Sequence, residues 1–146
     1  MKTEFEKITL QKVRKPSEQN LNADMQWFSN TLGLFTERDK EKSCFRVFIE
    51  LIKAARKKRG LTSDEIALKS NLSRATVIHH LNKLIESGLV SSKNNYYFLR
   101  TNNLEELVDE IKKDTLRVFQ DLKIMAEDID SQLGMISRKD NSTIVD

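Results

Sequence analysis

Along most of the chain, apolar residues recur at helical spacing and rarely alternate. Residues 1–19 are the exception. There Ile8 and Leu10 alternate with Thr9 and Gln11, which predicts a short strand closed by Pro16. From Asn20 onward, Leu21, Met25, Phe28 and Leu32 share one face, predicting a helix with Gly33 just past its end. A longer helix is predicted from about Thr36 to Arg59. Its first turns are polar; Phe45, Phe48, Ile49, Ile52 and Ala55 then form a stripe that Val47 and Leu51 widen, and Gly60 ends it. Cys44 lies near this stripe and reads as a small buried hydrophobe, because no second Cys or nearby His supports redox or metal chemistry.

The next stretch is more specific. Thr62-Ser63-Asp64-Glu65 is a capping box, in which the Thr62 hydroxyl meets the amide of Glu65 and the Glu65 carboxylate reaches back. It opens a short helix carrying Ile66, Ala67 and Leu68. Asn71-Leu72 connect it to a second helix that Ser73 caps and Gly88 follows. Two short capped helices joined by a tight turn form a helix-turn-helix. At about 100° per residue, Val77, Leu81, Leu84 and Ile85 of the second helix face a core. Ala75, Thr76, His79, Asn82, Lys83 and Glu86 point away. Small and hydrogen-bonding side chains near the start of an outward face suit a helix that reads base edges in the major groove. A solvated face would more often carry Glu and Lys there.

After Gly88, Leu89-Val90-Ser91-Ser92-Lys93 and Tyr96-Tyr97-Phe98-Leu99-Arg100 flank Asn94-Asn95, two residues that tolerate positive φ. This predicts a hairpin with Lys93, Asn94 and Asn95 at its tip. A two-stranded hairpin is not stable alone, so it must pack on the helices as a wing. From Leu104 to Ile136 one long helix is predicted. Leu104, Val108, Ile111, Thr115, Val118, Leu122, Met125, Ile129, Gln132 and Ile136 recur at alternating spacings of four and three. Phe119, Ala126 and Leu133 add a neighbouring stripe. Such a helix is longer than a domain this small can cover, which favours a partner helix. The dimerisation set is then Leu104, Val108, Ile111, Val118, Leu122, Met125 and Ile129.

The 146 residues allow one or two small domains, and four Gly and one Pro fit a helix-rich chain. A single cysteine excludes an intrachain disulfide framework and a multi-thiolate zinc site. No run approaches a membrane span and the N-terminus lacks an apolar signal region, so a cytoplasmic protein without membrane contact is expected. The net charge of +3 hides a division. Residues 51–100 hold ten basic and three acidic groups, whereas residues 101–146 hold six and eleven. A basic segment around a helix-turn-helix suggests an anionic partner. Arg56-Lys57-Lys58-Arg59 suits the C-terminal end of a helix dipole without any ligand, with phosphate contact as the alternative. No nucleophile–His–acid set, phosphate-cradling Gly loop or metal-ligand spacing is present, so neither an enzyme nor a cofactor is expected.

Gly60-Leu61-Thr62-Ser63-Asp64-Glu65-Ile66-Ala67 and Leu72-Ser73-Arg74-Ala75-Thr76-Val77, continuing through His79-His80-Leu81 to Gly88-Leu89-Val90, resemble the winged helix-turn-helix of ArsR-like transcriptional regulators of archaeal type. The resemblance covers about residues 43–100. It implies that residues 73–87 form the recognition helix, with Arg74, Thr76, His79, His80 and Lys83 at DNA-facing positions. Ile78 stands where Ser is often found, implying a different base preference. Metal-sensing relatives carry Cys before the turn, or His and acidic ligands in the dimerisation helix. The helix before the turn has no Cys here and residues 104–136 have no His, so no metal is expected.

The expected fold is mainly α with a small β-hairpin wing. Residues 1–35 form an N-terminal extension, 36–100 a winged helix-turn-helix, 101–136 a long coiled-coil-like dimerisation helix and 137–146 a frayed tail. The expected function is sequence-specific binding of double-stranded DNA by a homodimeric transcriptional regulator, through Ser73, Arg74, Thr76, His79, His80, Lys83, Lys93, Asn94 and Asn95. The alternative is a winged-helix protein-interaction module that recruits a partner through the long helix.

Overall fold

In the computed structural model, residues 5–135 are described. Their order is α1 (Leu21–Thr31), α2 (Ser43–Arg56), α3 (Ser63–Ser70), α4 (Arg74–Glu86), β1 (Val90–Lys93), β2 (Tyr96–Leu99) and α5 (Leu104–Leu133). The chain divides into two units, Met1–Ile111 and Lys112–Asp146. Ile136 and the tail after it lie outside the described residues.

In the first unit, local chemistry sets most element ends. The Asn20 side chain accepts from the Ala23 amide at 2.7 Å and opens α1. Thr62 and Glu65 exchange both capping-box bonds at 3.1 Å. Ser73 caps α4 through the Thr76 amide at 3.2 Å. Gly33 and Gly88, past the ends of α1 and α4, have φ of +76° and +75°. A Cβ on Gly33 would also meet the Thr9 carbonyl oxygen at 2.8 Å. Asn94 and Asn95 take φ of 52° and 66° in the hairpin turn, and β1 pairs antiparallel with β2 from Val90↔Leu99 to Lys93↔Tyr96. Leu61 bridges Tyr97 through bonds of 2.8 and 2.9 Å, tying the wing to the segment before α3.

Three expectations need correction. The stretch around Ile8 and Leu10 is not a strand. Its amides instead satisfy orphan carbonyls at helix ends: Glu6 and Lys7 both donate to Glu86 at the end of α4, and Gln11 donates to Thr31 at the end of α1. The helix expected from Thr36 begins only at Ser43, because the polar residues before it have no face to bury. Asp39 then captures the first amides, accepting from Ser43 at 2.8 Å and Cys44 at 2.9 Å. At its other end α2 stops at Arg56, with Lys58 in the left-handed region at φ 52°. Gly60 serves a different purpose, since a Cβ there would lie 2.6 Å from the Phe98 ring.

The core of this unit joins Val47, Phe48 and Leu51 of α2, Ile66 of α3, and Val77, Leu81 and Leu84 of α4. Leu61, Leu89, Val90 and Leu99 complete it around the wing base, and Leu107 and Ile111 of α5 enter it from the C-terminal side. Ile111 is therefore a core residue of this unit, and Leu104 packs against the same cluster half-buried. Leu107, which the heptad count passes over, is fully buried. In the second unit α5 runs on to Leu133 and ends at Gly134, φ +71°, short of the expected Ile136. Val118, Leu122, Met125 and Ile129 are all exposed in the single chain.

Because Leu107 is enclosed, we expect Leu107→Ala to cost about 2–5 kcal/mol in urea unfolding. A loss below about 0.5 kcal/mol would contradict its place in the core.

Candidate nucleic-acid interface

The helix-turn-helix is held by contacts behind its outer face. The Arg46 guanidinium on α2 donates to the Ser70 carbonyl at the end of α3, and Asn71 follows in the left-handed region at φ 55°. This locks the turn into α4. Burial of Val77, Leu81 and Leu84 then decides which side of α4 faces outward.

Ser73, Arg74, Ala75, His79 and Asn82 are exposed, and Thr76 and Lys83 are half-buried. The first turn of α4 holds no acidic residue, and Glu86 at its end is the only acid in the helix. Ser73 donates to the Thr76 hydroxyl at 2.8 Å, so both hydroxyls sit at the cap. Arg74 is 3.4 Å from Asp64 of α3, both widely exposed, an ion pair weak enough to exchange for a phosphate. Lys93, Asn94 and Asn95 are exposed together at the wing tip. The arrangement offers outward hydrogen-bonding groups at the start of one helix, with cations beside them and on the adjacent hairpin.

His80 does not join this face. It is 8% exposed, among the core-facing residues of α4, and its Nδ1 has no hydrogen-bond partner. Burial depresses its pKa; Asp39 opposes the effect, and His79 and Lys83 add to it. His79 and His80 have ring centroids 5.1 Å apart but face different surroundings. The signal was present in the sequence, since His80 stands three residues after Val77 and four before Leu84, on the buried stripe.

Two residues take on roles that sequence pattern does not reveal. Burial alone would raise Asp39, but the Cys44 and Ser43 amides outweigh it and hold the carboxyl below its ordinary range. Arg59, within the basic run, lies 2.7 Å from Glu65. Glu65 is held low by the Thr62 amide first and by Arg59 in addition. Cys44 is buried and its thiol is pushed up to about 12 by desolvation. Among the described residues, no group of three or more His, Cys, Asp or Glu is placed to hold a metal ion.

Residues 49–91 match a family model of winged helix-turn-helix DNA-binding domains, a span that runs from α2 through α3 and α4 into β1. No curated protein and no solved structure matches the chain. The chain carries a winged helix-turn-helix DNA-binding domain, with a hairpin wing and a long C-terminal helix after it. Among the described residues no helix is long and apolar enough to cross a membrane.

His80 and Cys44, both buried and both shifted, set a pH window for stability. His80 is neutral in the folded chain but protonates near 6.5 when unfolded, so its contribution is complete above that value and falls as pH drops below it. Cys44 acts in reverse: its contribution is complete below about 9, where the unfolded thiol ionises, and declines as pH rises towards 12. We expect thermal stability to be highest near neutrality and to fall as pH drops below about 6.5. His80→Leu should flatten that acid limb. An unchanged limb in the variant would assign it to other groups.

Proposed function

We propose that this protein is a homodimeric transcriptional regulator of the ArsR-like kind, which binds double-stranded DNA sequence-specifically in the cytoplasm. The observation that carries this reading is the outer face of α4, which offers hydrogen-bonding groups where a reading helix needs them and holds its one acid at the far end. In this reading α4 lies in the major groove, with Thr76 and His79 towards base edges. Arg74 and Lys83 meet phosphates beside it. The wing follows the backbone through Lys93, Asn94 and Asn95. His80 acts from inside, by holding the inner face of α4, and drops out of the DNA-facing set.

The homodimer reading rests on the exposed Val118, Leu122, Met125 and Ile129, with Val108 also 45% exposed. Four large apolar side chains on one helical stripe form a patch that a single chain leaves in water. Leu104 and Ile111, already occupied in the first unit, contribute to the helix's origin and not to a free seam.

His79→Ala should weaken binding to the preferred site by about 1–3 kcal/mol and relax discrimination, whereas Lys93→Ala should weaken all sequences alike. Equal losses on specific and random DNA for His79→Ala would refute the base-reading role. If about six phosphates are neutralised per dimer, log K against log salt should fall with a slope near −5. Leu122→Glu would bury a carboxylate in the seam, so sedimentation should show a folded monomer; a variant that remains dimeric would place the interface elsewhere.

A further inference from the structure

The two flanks of the α5 seam differ in chemistry. With Thr115, Leu122 and Ile129 at heptad position a, and Val118, Met125 and Gln132 at d, the e positions are Phe119, Ala126 and Leu133. The g positions are Asp114, Asp121 and Asp128; Asp114 is buried beside Arg117, so the exposed acids of this flank are Asp121 and Asp128. Phe119 is 62% exposed and Leu133 65%. Directly beside the seam the apolar face is thus widened on the e side only, while the g side carries the exposed Asp121 and Asp128, with Ile124 one step further out at position c.

This asymmetry separates the two ways in which a second copy could lie on the seam. In a parallel pair, e positions stand beside the partner's g positions. Phe119, Ala126 and Leu133 would then meet carboxylates on both sides of the dimer. In an antiparallel pair, e positions stand beside e positions. Apolar groups meet apolar groups along one edge, and the carboxylates are left along the opposite, solvent-facing edge. Repulsion between exposed carboxylates is screened by salt, whereas an aromatic ring held against carboxylates loses its burial.

The residues on the seam also select a register. The exposed stretch begins only after Thr115, because Ile111 and Asp114 are buried in the single chain and Thr115 is half-buried. Placing Leu122 opposite the partner's Met125 sets Val118 opposite the partner's Ile129 and Thr115 opposite the partner's Gln132. The two polar seam positions then face each other, and Phe119 lies beside the partner's Ala126, large against small. Sliding by one heptad in one direction would require Ile111. Sliding in the other would set Leu122 against the partner's Gln132 and shorten the overlap.

We infer that two copies of this chain pair antiparallel through residues 115–133 of α5, about a twofold axis between Lys123 and Ile124. This rests on the homodimer reading above and adds its orientation and register. The two chains enter the paired stretch from opposite ends. Their Asp114 residues are separated along the axis by nineteen residue steps, about 28 Å at 1.5 Å per residue.

Nitroxide labels on single cysteines, Lys123→Cys or Ser131→Cys in a Cys44→Ala background, test this by pulsed dipolar spectroscopy on the full chain. Both labelled positions are exposed. The antiparallel register places the Lys123 labels almost level along the axis and offsets the Ser131 labels by about 22 Å, so the second distance must be clearly longer. Equal distances at the two positions would mean parallel pairing and overturn the inference while leaving the dimer intact. Absence of dipolar coupling at both positions would overturn the dimer reading itself. As a second measurement, mixing Val118→Cys with Ile129→Cys chains in the same background should give more crosslinked dimer than either alone. Crosslinking no greater than in the separate samples would contradict the register.

Discussion

Burial of Val77, Leu81 and Leu84 in the core shared with Phe48 and Leu51 of α2 is the constraint on which the interface depends. A helix has no preferred outer face of its own; the side that cannot remain in water decides it. Once that side is held, Ala75, His79 and Asn82 point outward without any further contact to direct them. The entry to the helix is fixed as firmly, because Arg46 holds the end of α3 and Ser73 caps the start of α4. Recognition of DNA by a preset face avoids part of the ordering cost that a flexible segment would incur on binding.

The same core carries polar groups that add a constraint of their own. His80 lies on the buried stripe with Nδ1 unsatisfied, a cost on the order of 1–3 kcal/mol if no donor reaches it. Asp39 caps α2 through two amides and also acts electrostatically on His80, so the start of α2 and the middle of α4 are coupled. Protonation of His80 would introduce a charge beside the residues that hold the reading face outward. Acidity would therefore act on the interface through the core.

The features readable in the sequence were those decided within a few residues. The capping box at Thr62 and Glu65, the Ser73 cap, the glycines after α1 and α4 and the Asn94-Asn95 turn each depend on neighbours in the chain. What could not be read depended on distant partners. The Ile8–Leu10 alternation resembles a strand until the helix-end carbonyls that take up the neighbouring amides of Glu6, Lys7 and Gln11 are known. Asp39 looks like part of a polar helical turn until it is seen holding the amides of Ser43 and Cys44. In α5 the heptad count hides Leu107, because Leu104, Leu107 and Ile111 obey the core of the first unit, whereas Val118, Leu122, Met125 and Ile129 are left exposed. His80 was a different case: its spacing from Val77 and Leu84 was legible, but the likeness to DNA-facing positions outweighed it.

In the proposed reading the outer face of α4 reads base sequence and two copies of the chain do so together. Selection of bound fragments from a random pool of duplex DNA by the full-length protein tests both parts at once. The expected result is enrichment of a motif of two related halves with twofold symmetry, their centres about one helical turn apart. A selected pool no different in sequence from the starting pool would contradict it, leaving the basic surface as a non-specific binder of duplex DNA.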